Sequence, residues 1–272
     1  MTGTLAQLIV LATYGNQFLR TGEINTAFYP DNSTFLNSES VDFREMTKRF
    51  ILSGFSEKTI CRNPGEWLNL LKKEKTQKLH LFFRASEDQS KGPDYKLAGF
   101  IGGGGNWMLE QICDGYSYYW QAKWTYNNSS SDQDKRWIVS YARFSQKIKS
   151  SNYNQSEERI RDNFRVALSD ISSFASLQNF HGWSNTFQKA LYELSNLSPG
   201  ENYYYKDLVP SGDFSVASRQ LLYSAAMAWV FGGMGSWNDI NLEKKEDEER
   251  YDELSAKLYQ CITESVLAVV NV

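Results

Sequence analysis

Two glycine runs set beside aromatic and polar residues are the chain's best candidates for binding chemistry. In Gly102-Gly103-Gly104-Gly105-Asn106-Trp107, four positions without side chains would let successive backbone N–H groups converge on an anion. The spacing fits neither familiar phosphate loop. A G-x-G-x-x-G frame ends on Trp107 or Met108, and no lysine lies between Lys96 and Lys123 to serve a P-loop. A turn or bulge after a strand accounts for the run without a ligand.

The second run is Gly232-Gly233-Met234-Gly235-Ser236-Trp237-Asn238-Asp239. One glycine here serves as a helix C-cap, but three in four residues exceed that need and cost stability through the unfolded chain. Trp237, Asn238 and Asp239 offer a stacking surface, an amide and a carboxylate, so Trp237 is expected at the rim of a concavity. The plainer explanation is a tight turn into the next helix. The candidate ligand- or partner-binding residues are therefore Gly102, Gly104, Asn106, Trp107, Gly233, Gly235, Trp237, Asn238 and Asp239.

Catalytic patterns are absent. His80 and His181 are the only histidines, and neither sits beside a nucleophile; Gly-x-Ser-x-Gly and His-Glu-x-x-His do not occur. Acid pairs such as Glu157-Glu158 and Glu248-Glu249 read as first-turn helix charges. Cys61, Cys113 and Cys261 are odd in number and lack metal-ligand spacing, which points to buried thiols in a reducing compartment and to no metal or cofactor.

The basic group Lys135, Arg136, Arg143, Lys147 and Lys149, interleaved with Trp137, Tyr141 and Phe144, has the composition of a single-strand nucleic-acid platform. Against that role, the chain carries a net charge of −3. Nucleic acid is thus a weak expectation and another protein the favoured partner, with a small ligand as an alternative. Leu5 to Ala12 is apolar, but no Lys or Arg precedes Arg20 and no run is long enough to span a bilayer, so the expected location is the cytoplasm.

Positioning these residues requires a sizeable fold. At 41% hydrophobic and 15% aromatic over 272 residues, the chain can bury a large core, and we read residues 1–272 as one domain. Leu5 to Tyr14, with Ile9, Val10 and Thr13 among Leu and Ala, fits a buried strand or a short helix; we take the strand, followed by a Gly15-Asn16 turn. Pro64 opens a short helix ending in Lys72 and Lys73. Period-two alternation then marks Leu79 to Phe83, Tyr95 to Ile101, Tyr116 to Tyr126 and Trp137 to Phe144. This predicts an antiparallel β-meander, with the row Tyr118, Trp120 and Trp124 mostly buried beneath helices.

Beyond a polar connector from Ser150 to Ser156 the period becomes 3.6. Apolar stripes predict helices around Ile160–Ala175, Phe187–Leu194, Leu221–Val230 and Tyr251–Val269. The expectation is an α+β fold, with a β-rich layer over about 1–149 and about four helices over about 156–272 packed on one sheet face. The last 34 residues hold 9 acids against 4 bases, so the acidity is mainly C-terminal.

The functional expectation is a non-catalytic intracellular protein-binding or regulatory protein of the inhibitor, antidote or assembly-factor kind. Its alternative is an enzyme with a pocket between the Gly102–Trp107 and Gly232–Asp239 loops, using Asp239 or His181 as acid or base. Adjacent glycine loops would favour the second; loops on opposite faces would remove it.

Overall fold

The computed structural model describes residues 1–48, 55–87, 90, 92–100, 103–144 and 156–272. Its sheet has six strands: β1 (Ser38–Lys48), β2 (Phe55–Cys61), β3 (Lys78–Arg84), β4 (Asn106–Cys113), β5 (Tyr116–Tyr126) and β6 (Trp137–Phe144), in the order β2-β1-β6-β5-β4-β3. Helix α1 (Gly3–Thr21) precedes the strands, and α2 (Pro64–Lys73) and the one-turn α3 (Asp94–Leu97) interrupt them. The chain continues with α4 (Glu157–Leu177), α5 (His181–Glu193), α6 (Val216–Met227) and α7 (Lys245–Val270). The class is α+β. Strands β3 to β6 run antiparallel in sequence order, but β1 joins β6 in parallel, so the sheet is mixed.

Helix α1 replaces the expected strand at Leu5–Tyr14. Thr2 Oγ1 accepts from Leu5 N–H at 3.3 Å, and Gly22, at φ 78°, closes the other end. Every residue from Leu5 to Gly15 is buried. A helix apolar all round belongs in a core, where packing overrides the weak propensities of Ile9, Val10 and Thr13. Gly15 is helical: a Cβ there would stand 2.3 Å from Leu79 Cδ1, so its absence lets α1 lie directly on β3.

That approach serves a second purpose. β3 is the sheet's last strand, and Asn16 binds its open edge, donating from Nδ2 to Leu79 O and accepting from Leu79 N–H, both at 2.8 Å. Asn271, just past α7, does the same for Leu81 at 2.9 and 2.7 Å. Two side-chain amides thus stand in for a seventh strand. The opposite margin, β2, is mostly exposed and carries Glu57 and Lys58, charges that discourage pairing with another chain.

Trp120 lies at the centre of the core face, fully buried, edge-on to Phe43 and Trp67; Phe43 in turn stacks on Trp67 with centroids 4.8 Å apart. Its neighbours Tyr118 and Trp124 in the predicted row are only half-buried. Helices α1, α2 and α7 meet the strands, while α4, α5 and α6 pack on α7 and on one another. Helix α6 stops at Met227, so Trp229 and Val230 lie beyond it. No helix among the described residues is long and apolar enough to cross a membrane.

The predicted strand at Tyr95–Ile101 is replaced by α3. The Asp94 carboxylate at its start accepts from Ser86 N–H, and Tyr95 is turned inward to donate to Asp252 at 2.7 Å. The strand that the alternation missed is β4. Its apolar pattern is broken by Glu110 and Gln111, both fully buried. Glu110 Oε1 accepts from Ser117 Oγ and Tyr119 O–H at 2.8 and 2.9 Å. Gln111 donates to Glu74 and Thr76, and accepts from Trp120 Nε1 at 2.9 Å. Burial of polar groups is tolerated because each finds a partner.

Candidate functional site

The first glycine run folds back over α3. Gly102 lies outside the described residues. A Cβ on Gly103 would stand 2.3 Å from Leu97 O, and one on Gly104, at φ 73°, 2.4 Å from Ala98 Cα. Those contacts explain the glycines by chain packing. Gly104 O accepts from the Tyr259 hydroxyl at 2.5 Å, and burial pushes that phenol well above its ordinary pKa. Asn106 and Trp107 do not follow a strand but begin one. Asn106 Oδ1 accepts from Gln121 Nε2 at 3.4 Å, and Trp107 lies over Phe83 at 4.8 Å.

The second run corrects the expectation for Trp237. Its side chain is 0% exposed, its Nε1 donates to Ser255 Oγ at 2.8 Å, and its ring is ringed by Phe187, Tyr251 and Trp183 at 5.1 to 5.8 Å. The indole is a core residue, not a rim. Asn238 Nδ2 donates to Tyr95 O at 3.0 Å, tying the segment to α3. The Asp239 carboxylate accepts from Gly235 N–H, closing a turn in which Gly235 has φ 82°. Nothing within 4 Å would meet a Cβ on Gly233. Trp237, Asn238 and Asp239 are therefore engaged in holding the loop.

The segment just before the first run meets the second run. A Cβ on Gly99 would stand 1.9 Å from Gly232 O, so backbone lies on backbone where the segments cross. Beside this crossing opens a cleft of about 660 Å³. One wall is Phe100, Gly103–Gly105, Asn106 and Trp107; the other is Gln121–Trp124 of β5 with Trp137 of β6; Trp229 and Tyr259 lie between, and Thr2 and Thr4 also line it. A second hollow of about 430 Å³ lies beyond Trp229 and Thr2, bounded by Trp183, Phe231, Gly232 and Ser236.

Four indoles thus converge from β4, β5, β6 and the segment after α6. Trp124 and Trp137 approach edge to face at 5.8 Å, and Tyr126 stacks its edge on Trp137 at 5.1 Å. The Nε1 groups of Trp107 and Trp124 are shielded from solvent and have no hydrogen-bond partner among the described residues. Lys123 is the one basic residue among the described lining residues, and strand alternation sets its side chain on the sheet face opposite Ala122 and Trp124. No carboxylate, imidazole or thiol is among them, and no group of three His, Cys, Asp or Glu among the described residues could hold a metal ion.

Of the predicted site residues, Gly104, Asn106 and Trp107 line this cleft, and the five from Gly233 to Asp239 do not. Trp124, Trp137 and Trp229 were missed as site residues. The signal for the first two was present, since carrying the β5–β6 hairpin into register sets Tyr126 opposite Trp137 and Trp124 one step away. Of the predicted basic group, Lys135 and Arg136 are at least partly exposed. Arg143 is buried against Glu74, with two bonds of 2.6 Å, and Lys147 and Lys149 lie outside the described residues. Cys61, Cys113 and Cys261 are buried and unpaired, and burial pushes the Cys61 and Cys261 thiols up to about 11. No family model, curated protein or solved structure matches this chain.

Proposed function

We propose that the chain is a single-domain, non-catalytic binding protein of the cytoplasm, of the inhibitor, antidote or assembly-factor kind, and that the tryptophan cleft receives its protein partner. The composition of the cleft carries this reading. Four indoles supply flat apolar area at little cost in side-chain entropy, the property that makes tryptophan an interface anchor. Proton transfer needs a group that titrates near the working pH, held within reach of the substrate. Among the described lining residues the ionisable groups are an amine and a buried phenol whose hydroxyl is already bonded to Gly104 O. Reduced, buried cysteines in odd number favour the cytoplasm.

The enzyme alternative keeps one observation in its favour, the contact of Gly99 with Gly232. Its acids fare worse: Asp239 is bonded within its own turn, and His181 lines neither hollow. The deciding experiment compares complexes recovered from the native cell by the wild-type chain with those recovered by Lys123→Glu and Trp137→Ala. Both positions are at least partly exposed, so the fold should survive. A partner retained by the wild type and lost by both variants is the expected result. A partner indifferent to both, or a compound chemically turned over in a cleft-dependent manner, would overturn the proposal.

A further inference from the structure

We infer that the cleft takes its partner as an extended strand, added to an edge that β5 leaves open inside the sheet. This rests on the cleft being the binding site and names what fills it.

The backbone decides which groups face the cleft. Asn127 N–H donates to Arg136 O at 2.8 Å, and the β5–β6 register continues inward from that pair. Hydrogen-bonded pairs alternate along an antiparallel ladder, so Thr125, Lys123 and Gln121 turn their N–H and C=O groups toward β6. Ala122, Trp124 and Tyr126 turn theirs away from it. On that side β4 pairs with β5 only as far as Leu109 opposite Trp120. Beyond this point β4 stays with β3, through Trp107 opposite Phe83 and Asn106 opposite Arg84, and parts from β5. Among the described residues no strand pairs with Ala122, Trp124 or Tyr126 on the cleft side.

Asn16 and Asn271 seal β3, and charge protects β2, whereas the β5 edge lies in a hollow walled by indoles. Strand addition uses such a place: main-chain bonds give affinity, and pockets for alternate side chains give specificity. Charge narrows the occupant. Lys123 is the charged residue of the described lining, and the Arg136 guanidinium, bonded to the Tyr126 hydroxyl at 3.2 Å, stands at the outer end of the edge. Side chains of a strand laid beside β5 would alternate as Lys123 and Trp124 do, so the site suits an extended segment with apolar or aromatic residues toward the indoles and an acidic residue toward Lys123 on the other face.

The test pans a phage-displayed library of seven-residue peptides on the full chain and carries the selected peptides into two measurements. In the wild type, a bound peptide should slow hydrogen exchange at the Ala122, Trp124 and Tyr126 amides at least tenfold. In variants, Tyr126→Ala keeps the outward N–H and Tyr126→Pro removes it, so the proline variant should bind at least about fivefold more weakly than the alanine variant. The exchange measurement needs no variant and stands even if the proline unfolds the strand. Peptides that bind without protecting these amides, variants that bind alike, or a library that yields no cleft binder would overturn strand addition. A cellular partner that depends on the cleft but protects none of the three amides would refute this inference and leave the proposed function standing. The converse, peptide addition at β5 with a cellular partner indifferent to the cleft, would refute the proposed function alone.

Discussion

Removing the Arg143 guanidinium should cost more than any surface charge, because the ion pair it makes is enclosed. Arg143 is 3% exposed and Glu74 24%, joined by two bonds of 2.6 Å. The same guanidinium donates to Gln111 Oε1 at 3.1 Å and lies over the Tyr118 ring at 4.1 Å. Arg143→Ala leaves the Glu74 carboxylate with Gln111 Nε2 as its remaining side-chain donor. Breaking a buried pair from one side costs about 3 to 5 kcal/mol, and the partial exposure of Glu74 places the loss near the lower end, at about 3 kcal/mol.

Replacing both partners by apolar groups, Arg143→Met with Glu74→Leu, should cost about 1 kcal/mol or less, since the one carboxylate that then loses Arg143, Glu45 at 3.5 Å, is 34% exposed and keeps its water. Burial alone would raise the Glu74 pKa, but hydrogen bonds from Arg143 and Gln111 hold it below the usual carboxylate value. A depressed folded pKa contributes stability that is present above the unfolded value, about 4.3, and is lost as pH falls through the folded one. The double variant should lack that part of the acid slope. Urea unfolding at neutral pH and through the acid range measures all three quantities. A loss below about 1 kcal/mol for Arg143→Ala would class the pair with exposed salt bridges and refute the reasoning, as would a double variant no more stable than the single one.

Trp237→Ala should lower stability by about 3 to 5 kcal/mol in the same assay, as expected for an enclosed indole. Unchanged stability would restore Trp237 as a surface anchor. Burial, and then the nearby Lys78, lower the His80 pKa to about 4. Its imidazole should therefore titrate near pH 4 by NMR, and the stability it contributes, full above the unfolded value of about 6.5, should fall as pH drops through that window. A His80 resonance titrating at its ordinary value would contradict this. Asn271→Ala strips both partners from the buried Leu81 peptide groups and should cost about 1 to 3 kcal/mol by urea unfolding; an unchanged midpoint would refute the seal.

Period was the part of the fold that could be read without coordinates. Strands β3, β5 and β6 alternate cleanly, and helices α4, α5 and α7 each show one apolar stripe. Helix α1 could not be read that way because it is enclosed on all sides and so has no stripe. Strand β4 was hidden by Glu110 and Gln111, whose burial depends on partners such as Glu74 and Thr76 that lie 37 and 35 residues from Gln111. The cleft was half legible. Its first wall is a local glycine-to-tryptophan run, but the opposite wall is built by strand register and by Trp229, which reads as one more apolar residue of a buried helix. Trp237 misled for the opposite reason: glycines around it advertised a surface, and the aromatics that enclose it come from α5 and α7.

The asparagine seal on β3 also orders events in time. Strands β3 to β6 are near neighbours in the chain, and contacts of short separation close with little entropic delay. The seal at Leu81 spans 190 residues, against 63 for the one at Leu79. A chain growing from its first residue therefore exposes half of the β3 margin until α7 has been made and docked. During that interval nascent molecules crowded together can join through it, a hazard that ends only when Asn271 arrives. Yield during synthesis should thus respond to chaperone supply and translation rate even when the finished protein is stable.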